Sequence, residues 1–181
     1  MEKILIVIDM QNDFVTGSLG SKEAQAIVQP IKEKIINYIL DGNKFYFTKD
    51  THDRGVYLET LEGEHLPIEH CIRYTDGWDI VPELKEFTKD LASYGINRNE
   101  ILKNHFGYEW WNEYFLDDSF SYEFELVGVC TDICVITNAL LLRTYFPESK
   151  IIVDSSCCAG STPDKHKAAL EVMKSCHIDV V

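Results

Sequence analysis

Gly128-Val129-Cys130-Thr131-Asp132-Ile133-Cys134-Val135 joins two segments of different periodicity. Before it, Tyr122 to Gly128 is short, apolar-rich and partly alternating, the pattern of a buried strand. After it, Ile133 to Tyr145 carries apolar residues at helical spacing and contains neither Gly nor Pro. Thr131 and Asp132 are natural N-cap residues, because their side-chain oxygens accept from free first-turn amides. The reading is strand, turn and helix, with Cys134 in the first helical turn. A thiol there feels the positive end of the helix dipole, which favours its thiolate. Nearby backbone amides can receive an oxyanion. A lone strand-end cysteine is usually packing, so a cysteine nucleophile depends on what else the chain brings to that rim.

Outward from this motif, strands and helices alternate. Lys3 to Asp9 (KILIVID) is a nearly unbroken apolar, β-branched run, as expected of a strand covered on both faces. Residues 22–41 read as a helix on Ile27, Ile31, Ile35, Ile39 and Leu40, with Gly42 just past its end. Lys44 to Thr48 is the next strand. Residues 52–80 show no helical or strand period and read as one long ordered loop. Val81 to Tyr94 reads as a helix, Ile101-Leu102 as a short strand ending at Lys103, and residues 109–117 as a short helix. After the central motif come a strand over Lys150 to Asp154, a helix over Thr162 to Cys176 with Pro163 at its start, and a terminal strand over His177 to Val181. Such alternation predicts a parallel sheet with helices on both faces. No linker divides the chain, so residues 1–181 are expected to form one domain.

Composition narrows the function. The 181 residues are 45% hydrophobic and 26% charged, ordinary globular usage with enough bulk for a full core. The net charge of −13 speaks against a nucleic-acid partner, since phosphate backbones need a basic footprint. No apolar run is long enough to span a bilayer, so no membrane partner is expected. Met1-Glu-Lys leads straight into a strand-like run rather than a signal sequence, and a cytoplasmic location is the default expectation. The six cysteines, at 71, 130, 134, 157, 158 and 176, lack zinc-module spacing and read as reduced thiols. A homo-oligomer is expected only from the general prevalence of homodimers.

Four groups with chemical capacity fall at carboxyl ends of strands: Asp9, Asp50 with His52, Lys103, and Cys134. Open α/β sheets bind ligands on that rim. Asp9 can accept the thiol proton and hand it to a leaving amine, while Lys103 can hold the charges. The set suits acyl transfer. Asp50 and His52, two residues apart, can point at one ion, and His70 is the natural third ligand. Carboxylate plus imidazole suits zinc, iron or manganese. Phe14, Phe106 and Trp111 are candidates to wall a pocket for a flat ring.

These segments resemble the isochorismatase-like cysteine hydrolases, and nicotinamidases within them. The resemblance rests on Ile8-Asp9-Met10-Gln11-Asn12-Asp13-Phe14, Asp50-Thr51-His52, Lys103, and Gly128 to Val135, in this order and over nearly the whole chain. It implies a three-layer Rossmann-like α/β fold with a six-stranded, mainly parallel sheet. It implies a catalytic triad of Asp9, Lys103 and Cys134. It also implies a cis peptide between Val129 and Cys130, so that the amides of Cys130 and Cys134 form an oxyanion hole. In nicotinamidases the metal binds the substrate's ring nitrogen, which implies a divalent ion on Asp50, His52 and His70. Where some relatives place a further histidine six residues after the first, this chain has Leu58; Glu59 is the nearest substitute, with Glu62 and Glu64 behind it. The expected activity is hydrolysis of a small carboxamide, nicotinamide to nicotinate and ammonia, through a thioester. The alternatives are a hydrolase of another small amide or ureido compound, and a non-catalytic member binding a metabolite or partner.

Overall fold

A computed structural model describes residues 2–89, 99–115 and 122–181. Six parallel strands form one sheet in the order β3–β2–β1–β4–β5–β6. They are β1 (Glu2–Ile8), β2 (Lys44–Asp50), β3 (Glu100–Lys103), β4 (Tyr122–Val129), β5 (Lys150–Ala159) and β6 (Asp179–Val180). The three-layer α/β expectation holds. Because side chains alternate along a strand, Ile4, Ile6 and Ile8 enter one core and Leu5 and Val7 the other. The first core is closed by α6 (Ile136–Tyr145) and α7 (Pro163–Ser175), the second by α3 (Val28–Leu40). Burying each such aliphatic side chain stabilises the fold by about 1.5–3 kcal/mol.

Several elements depart from their expected bounds, each for a local reason. The helix expected over 22–41 is two, α2 (Lys22–Ala26) and α3, broken at Ile27. Pro30 lacks an amide hydrogen and its ring clashes with the carbonyl four residues back, so the helix restarts there. Gly42 ends α3 with φ +70, as expected. Over 81–94 the described part is a 3-10 turn, Lys85–Thr88, which Lys89 leaves with extended backbone. Thr88 Oγ1 donates back to the Lys85 carbonyl at 3.0 Å, a local competitor of helix. Residues 90–94 of that expected helix lie outside the described residues.

Strand β5 runs five residues past Asp154. Its pairing with β4 slips between Leu126 and Gly128, and Asp154 Oδ1 accepts from the amide (2.9 Å) and hydroxyl (2.7 Å) of Ser156. Asp-Ser-Ser is thus a bulge inside a strand, not its end. The terminal strand shortens to Asp179–Val180. The expected helix over 109–117 is α5 (Trp111–Tyr114), with residues 116 and 117 outside the described set. The long loop contains α4 (Leu61–His65), capped by Thr60, whose side chain accepts from the Gly63 amide at 3.0 Å.

The order places a topological switch between β1 and β4, where neighbouring strands depart in opposite directions. Gly128 lies there with φ +116, and a Cβ on it would sit 2.1 Å from the Ile8 carbonyl oxygen. Only glycine lets the two central strands close up at the rim where the polar groups emerge.

Candidate active site

Asp9, one residue past β1, is wholly buried and has left-handed backbone, φ 49. Thr48 on β2 holds it. The Asp9 amide donates to the Thr48 carbonyl (3.2 Å), and Thr48 Oγ1 donates to Asp9 Oδ1 (2.7 Å). Register pairs Asp50 with Lys103 at the ends of β2 and β3. The Lys103 stem then crosses the rim, and its Nζ lies 2.7 Å from Asp9 Oδ2, 3.5 Å from Asp50 Oδ1 and 3.7 Å from Cys134 Sγ. It also donates to the His105 carbonyl at 3.1 Å. Asp9 Oδ2 is held by this cation alone, with no well-aligned donor on it among the described residues. Acid, amine and sulfur meet as the strand ends suggested.

Their charge states follow from burial. Burial works against the Lys103 ammonium, but Asp9, Cys134 and Asp50 outweigh it and lift its pKa well above the lysine range. Burial raises the Asp9 carboxyl despite the pull of Lys103. Burial also pushes the Cys134 thiol well up; Lys103 pulls it down, and the Asp9 and Asp50 carboxylates add to the rise. This corrects the expected helix-dipole thiolate. One cation faces two carboxyls and a thiol, so burial and the carboxylates together outweigh its pull on the sulfur.

The capping expectation is also corrected. The turn Thr131–Val135 is π-helical, Cys130 occupies the N-cap position, and no side chain caps it. Thr131 Oγ1 instead lies 2.8 Å from His166 Nδ1 on α7. Asp132 accepts from the Ser161 amide (2.7 Å) and hydroxyl (2.6 Å). These bonds tie the Cys134 turn to the start of α7, a role for His166 that no sequence spacing signals. The peptide between Val129 and Cys130 is cis. Burial pushes the Cys130 thiol up to about 12, so it is a neutral neighbour of Cys134.

Beside Lys103 stands a second cluster. The loop returns to the end of β2 through bonds from the His52 amide to the Cys71 carbonyl (3.0 Å) and from the Arg73 amide to the His52 carbonyl (2.9 Å). That brings His70 against His52. Asp50 Oδ2 lies 3.0 Å from His52 Nε2 and 3.6 Å from His70 Nε2, and Glu62 Oε1 lies 3.8 Å and 3.7 Å from the same nitrogens. Metal–ligand bonds of about 2.0–2.1 Å set tetrahedral donors about 3.3 Å apart, so four atoms at these separations fit a divalent ion. His70 Nδ1 is engaged with the Ile68 carbonyl at 2.9 Å, which leaves Nε2 as the ligating nitrogen. Gln11 fixes Asp50 by donating to its carbonyl (2.8 Å) and accepting from its amide (2.7 Å). Glu59, the expected fourth candidate, is exposed on the 3-10 turn Tyr57–Glu59. The carboxylate in the cluster is Glu62, turned inward by α4. Thr60 as an N-cap was the signal that could have found that helix.

Above both clusters lies a cavity of about 890 Å³, lined by Asp50, Glu62, His70, Cys130 and Cys134 among others. Phe14 and Phe106 line it as expected, and Phe14 packs on His70 with ring centroids 5.4 Å apart. Trp111 does not. It is fully buried in the core, stacked on Phe115 at 5.7 Å, with its Nε1 donating to Asn138. An aromatic near a pocket is more often core, and here the indole found a buried acceptor. His65 and His105, which show no pattern in the sequence, line the cavity.

The isochorismatase domain matches residues 3–181. The chain belongs to the isochorismatase family. Among curated relatives, the Saccharomyces cerevisiae nicotinamidase is 24% identical over 99% of each chain. The Mycobacterium tuberculosis nicotinamidase/pyrazinamidase is 27% identical over 99% of this chain and 98% of its own. Among solved structures, the nicotinamidase/pyrazinamidase from Bacillus subtilis superposes with TM-score 0.85 at 25% identity, covering all of both chains. The Pyrococcus horikoshii pyrazinamidase in complex with zinc, at 24% identity and TM-score 0.81 over 100% of this chain and 99% of its own, shares the fold. Among the described residues no helix is long and apolar enough to cross a membrane.

Proposed function

We propose that this chain is a cysteine-dependent amidohydrolase that converts nicotinamide and water to nicotinate and ammonia. The observation that carries the reading is one ammonium, Lys103, touching both Asp9 (2.7 Å) and Cys134 (3.7 Å), with Cys134 itself lining the cavity. The nicotinamidase relatives support the substrate.

In this mechanism Asp9 takes the proton of Cys134 as the sulfur attacks the amide carbon. The sulfur–carbon bond forms and the carbonyl electrons move to oxygen. That oxyanion rests on the backbone amides of Cys130 and Cys134, each donor contributing about 3 kcal/mol. Asp9 then returns the proton to nitrogen, the carbon–nitrogen bond breaks and ammonia leaves. Water attacks the thioester with Asp9 as base, and the sulfur recovers its proton as nicotinate departs. Lys103 keeps its charge throughout and offsets each anion as it forms. A neutral resting thiol suits this sequence, since the proton moves only as the new bond forms. Asp50, His52, His70 and Glu62 would hold a divalent ion, zinc by donor chemistry, which supplies a Lewis-acidic contact for the substrate's ring nitrogen.

A second reading, hydrolysis of another small amide or ureido compound by the same residues, is favoured by the cavity, which lies near the upper end of the usual ~300–1,000 Å³ range. Ammonia release from a panel of amides separates the two. Cys134→Ala is expected to abolish ammonia release while the circular dichroism spectrum persists. A folded alanine variant that still turned over nicotinamide would overturn the mechanism.

A further inference from the structure

Asn138 is a fully buried amide in the first turn of α6, four residues past Cys134. A side-chain amide offers two donors and two acceptor lone pairs, and here all four are used. Nδ2 donates to the carbonyls of Cys134 (2.8 Å) and Phe106 (3.2 Å). Oδ1 accepts from the amide of Tyr108 and from Trp111 Nε1, each at 2.9 Å. One partner is the nucleophile's own carbonyl. The other three belong to the segment that leaves Lys103 and carries Phe106 into the cavity wall.

Two further features show that segment pressed onto the helix. A Cβ on Gly107 would lie 2.5 Å from Leu141 Cδ1 and 2.8 Å from Thr137 Cγ2, so a side chain there would force a shift. Thr137 Oγ1 donates to the Ile133 carbonyl at 2.6 Å, so two consecutive carbonyls of the π-helical turn are held from one turn ahead. Most inward helix positions are filled by apolar residues, because a buried amide is costly unless every partner is present. A fully satisfied one is over-determined: it admits one arrangement of the parts it joins.

We infer that Asn138 is a positioning residue, which fixes the Cys134 turn and the Phe106 wall relative to each other. The inference rests on the amidohydrolase reading for its consequence in turnover, though its geometry stands apart from it. Asn138→Asp keeps the size and loses both donors, so a carboxylate oxygen faces the Cys134 and Phe106 carbonyls. Asn138→Thr keeps one hydroxyl within reach of the Cys134 carbonyl, as Thr137 reaches Ile133, and is too short to hold the aromatic segment.

The test pairs steady-state kinetics on nicotinamide with the rate of Cys134 alkylation by iodoacetamide, mapped by mass spectrometry, in the full-length protein. Asn138→Asp is expected to lower kcat by about 10²-fold, as a displaced reacting group does. It is also expected to slow alkylation by about fivefold or more as the sulfur leaves Lys103. Asn138→Thr is expected to keep the alkylation rate and raise KM by about fivefold or more, the mark of lost ground-state contacts. Folded variants that lose only melting temperature, with kcat, KM and alkylation unchanged, overturn the inference. If Asn138→Asp does not fold, the KM of Asn138→Thr decides alone, and an unchanged value overturns it. If the wild type releases no ammonia from nicotinamide, the proposed function fails instead. The alkylation comparison then still judges Asn138, equal rates in wild type and Asn138→Asp counting against it.

Discussion

Lys103→Met removes the ammonium and keeps most of the packing volume. In the native site Nζ lies 2.7 Å from Asp9 Oδ2 and 3.5 Å from Asp50 Oδ1, with the lysine side chain 1% exposed and the two carboxyls 0% and 5%. Without it, two buried carboxyl groups lose the ammonium between them; Asp50 keeps the His52 and His70 rings, and Asp9 keeps the Thr48 hydroxyl. Breaking a buried pair in this way costs about 3–5 kcal/mol. For a chain of this size each kcal/mol moves the melting temperature by about 2–4 °C, so the drop is about 6–20 °C. The assay is a thermal melt at neutral pH with a chelator present. Zinc is expected to recover part of the loss, because an ion on Asp50 offsets one of the two charges. Lys103→Arg, which keeps the charge, is expected to melt closer to wild type. Ammonia release by Lys103→Met falls by about 10²–10³-fold with the lost electrostatic stabilisation. A methionine variant melting within about 2 °C of wild type in chelator would refute the reasoning, since that is under 1 kcal/mol.

Glu62→Gln is expected to weaken zinc binding by about 10–100-fold in a chelator competition, while Glu59→Gln leaves it unchanged; equal effects would put the wrong carboxylate in the cluster. Away from the site, Lys34 bridges Glu125 and Asp154, lying 2.8 Å from Asp154 Oδ2. Lys34→Met is expected to cost about 1–3 kcal/mol at pH 7 by urea denaturation. Burial opposes both charges, but the Lys34 bond, with that from Ser156, holds Asp154 below its ordinary pKa, and its two carboxylates hold Lys34 above its own. The Asp154 contribution is present above its unfolded pKa of about 3.9 and lost as pH falls through the lower folded value. The Lys34 contribution is present below about 10.4 and lost only as pH rises through the higher folded value. The stability gap between wild type and variant is therefore flat from about pH 5 to 10 and closes in acid; a gap constant down to about pH 3 contradicts the assignment.

The sheet and its rim were legible because β1 to β4 are apolar-rich runs with a reactive polar or sulfur side chain at or just past the carboxyl end. Asp9, Asp50, Lys103 and Cys134 follow Ile8, Lys49, Leu102 and the β4 motif, and parallel strands set their ends on one edge. What escaped reading depends on tertiary context. Pro30 splits a helix whose apolar spacing is unbroken. Asp154-Ser155-Ser156 has turn composition but lies in a bulge, since β4 continues beside it. Glu59 and Glu62 differ by less than one helical turn, and only the cap at Thr60 turns one inward. Trp111 reads as a pocket wall from its neighbours in sequence, yet its indole is claimed by Asn138. Cys134 reads as a favoured thiolate from the helix alone, because the burial and the Asp9 and Asp50 carboxylates that raise its pKa appear only in the folded site. Asn138 itself looks like an ordinary polar helix residue until its four partners are in place.

The most direct test is the mass of the protein trapped during turnover. Wild-type protein is mixed with nicotinamide, quenched in acid within the first turnovers and digested. The account predicts a peptide containing Cys134 heavier by one nicotinoyl group, absent in Cys134→Ala and lost on treatment with hydroxylamine. Ammonia release without any such adduct under conditions where thioester hydrolysis is slowed, or an adduct on Cys130 instead, contradicts it.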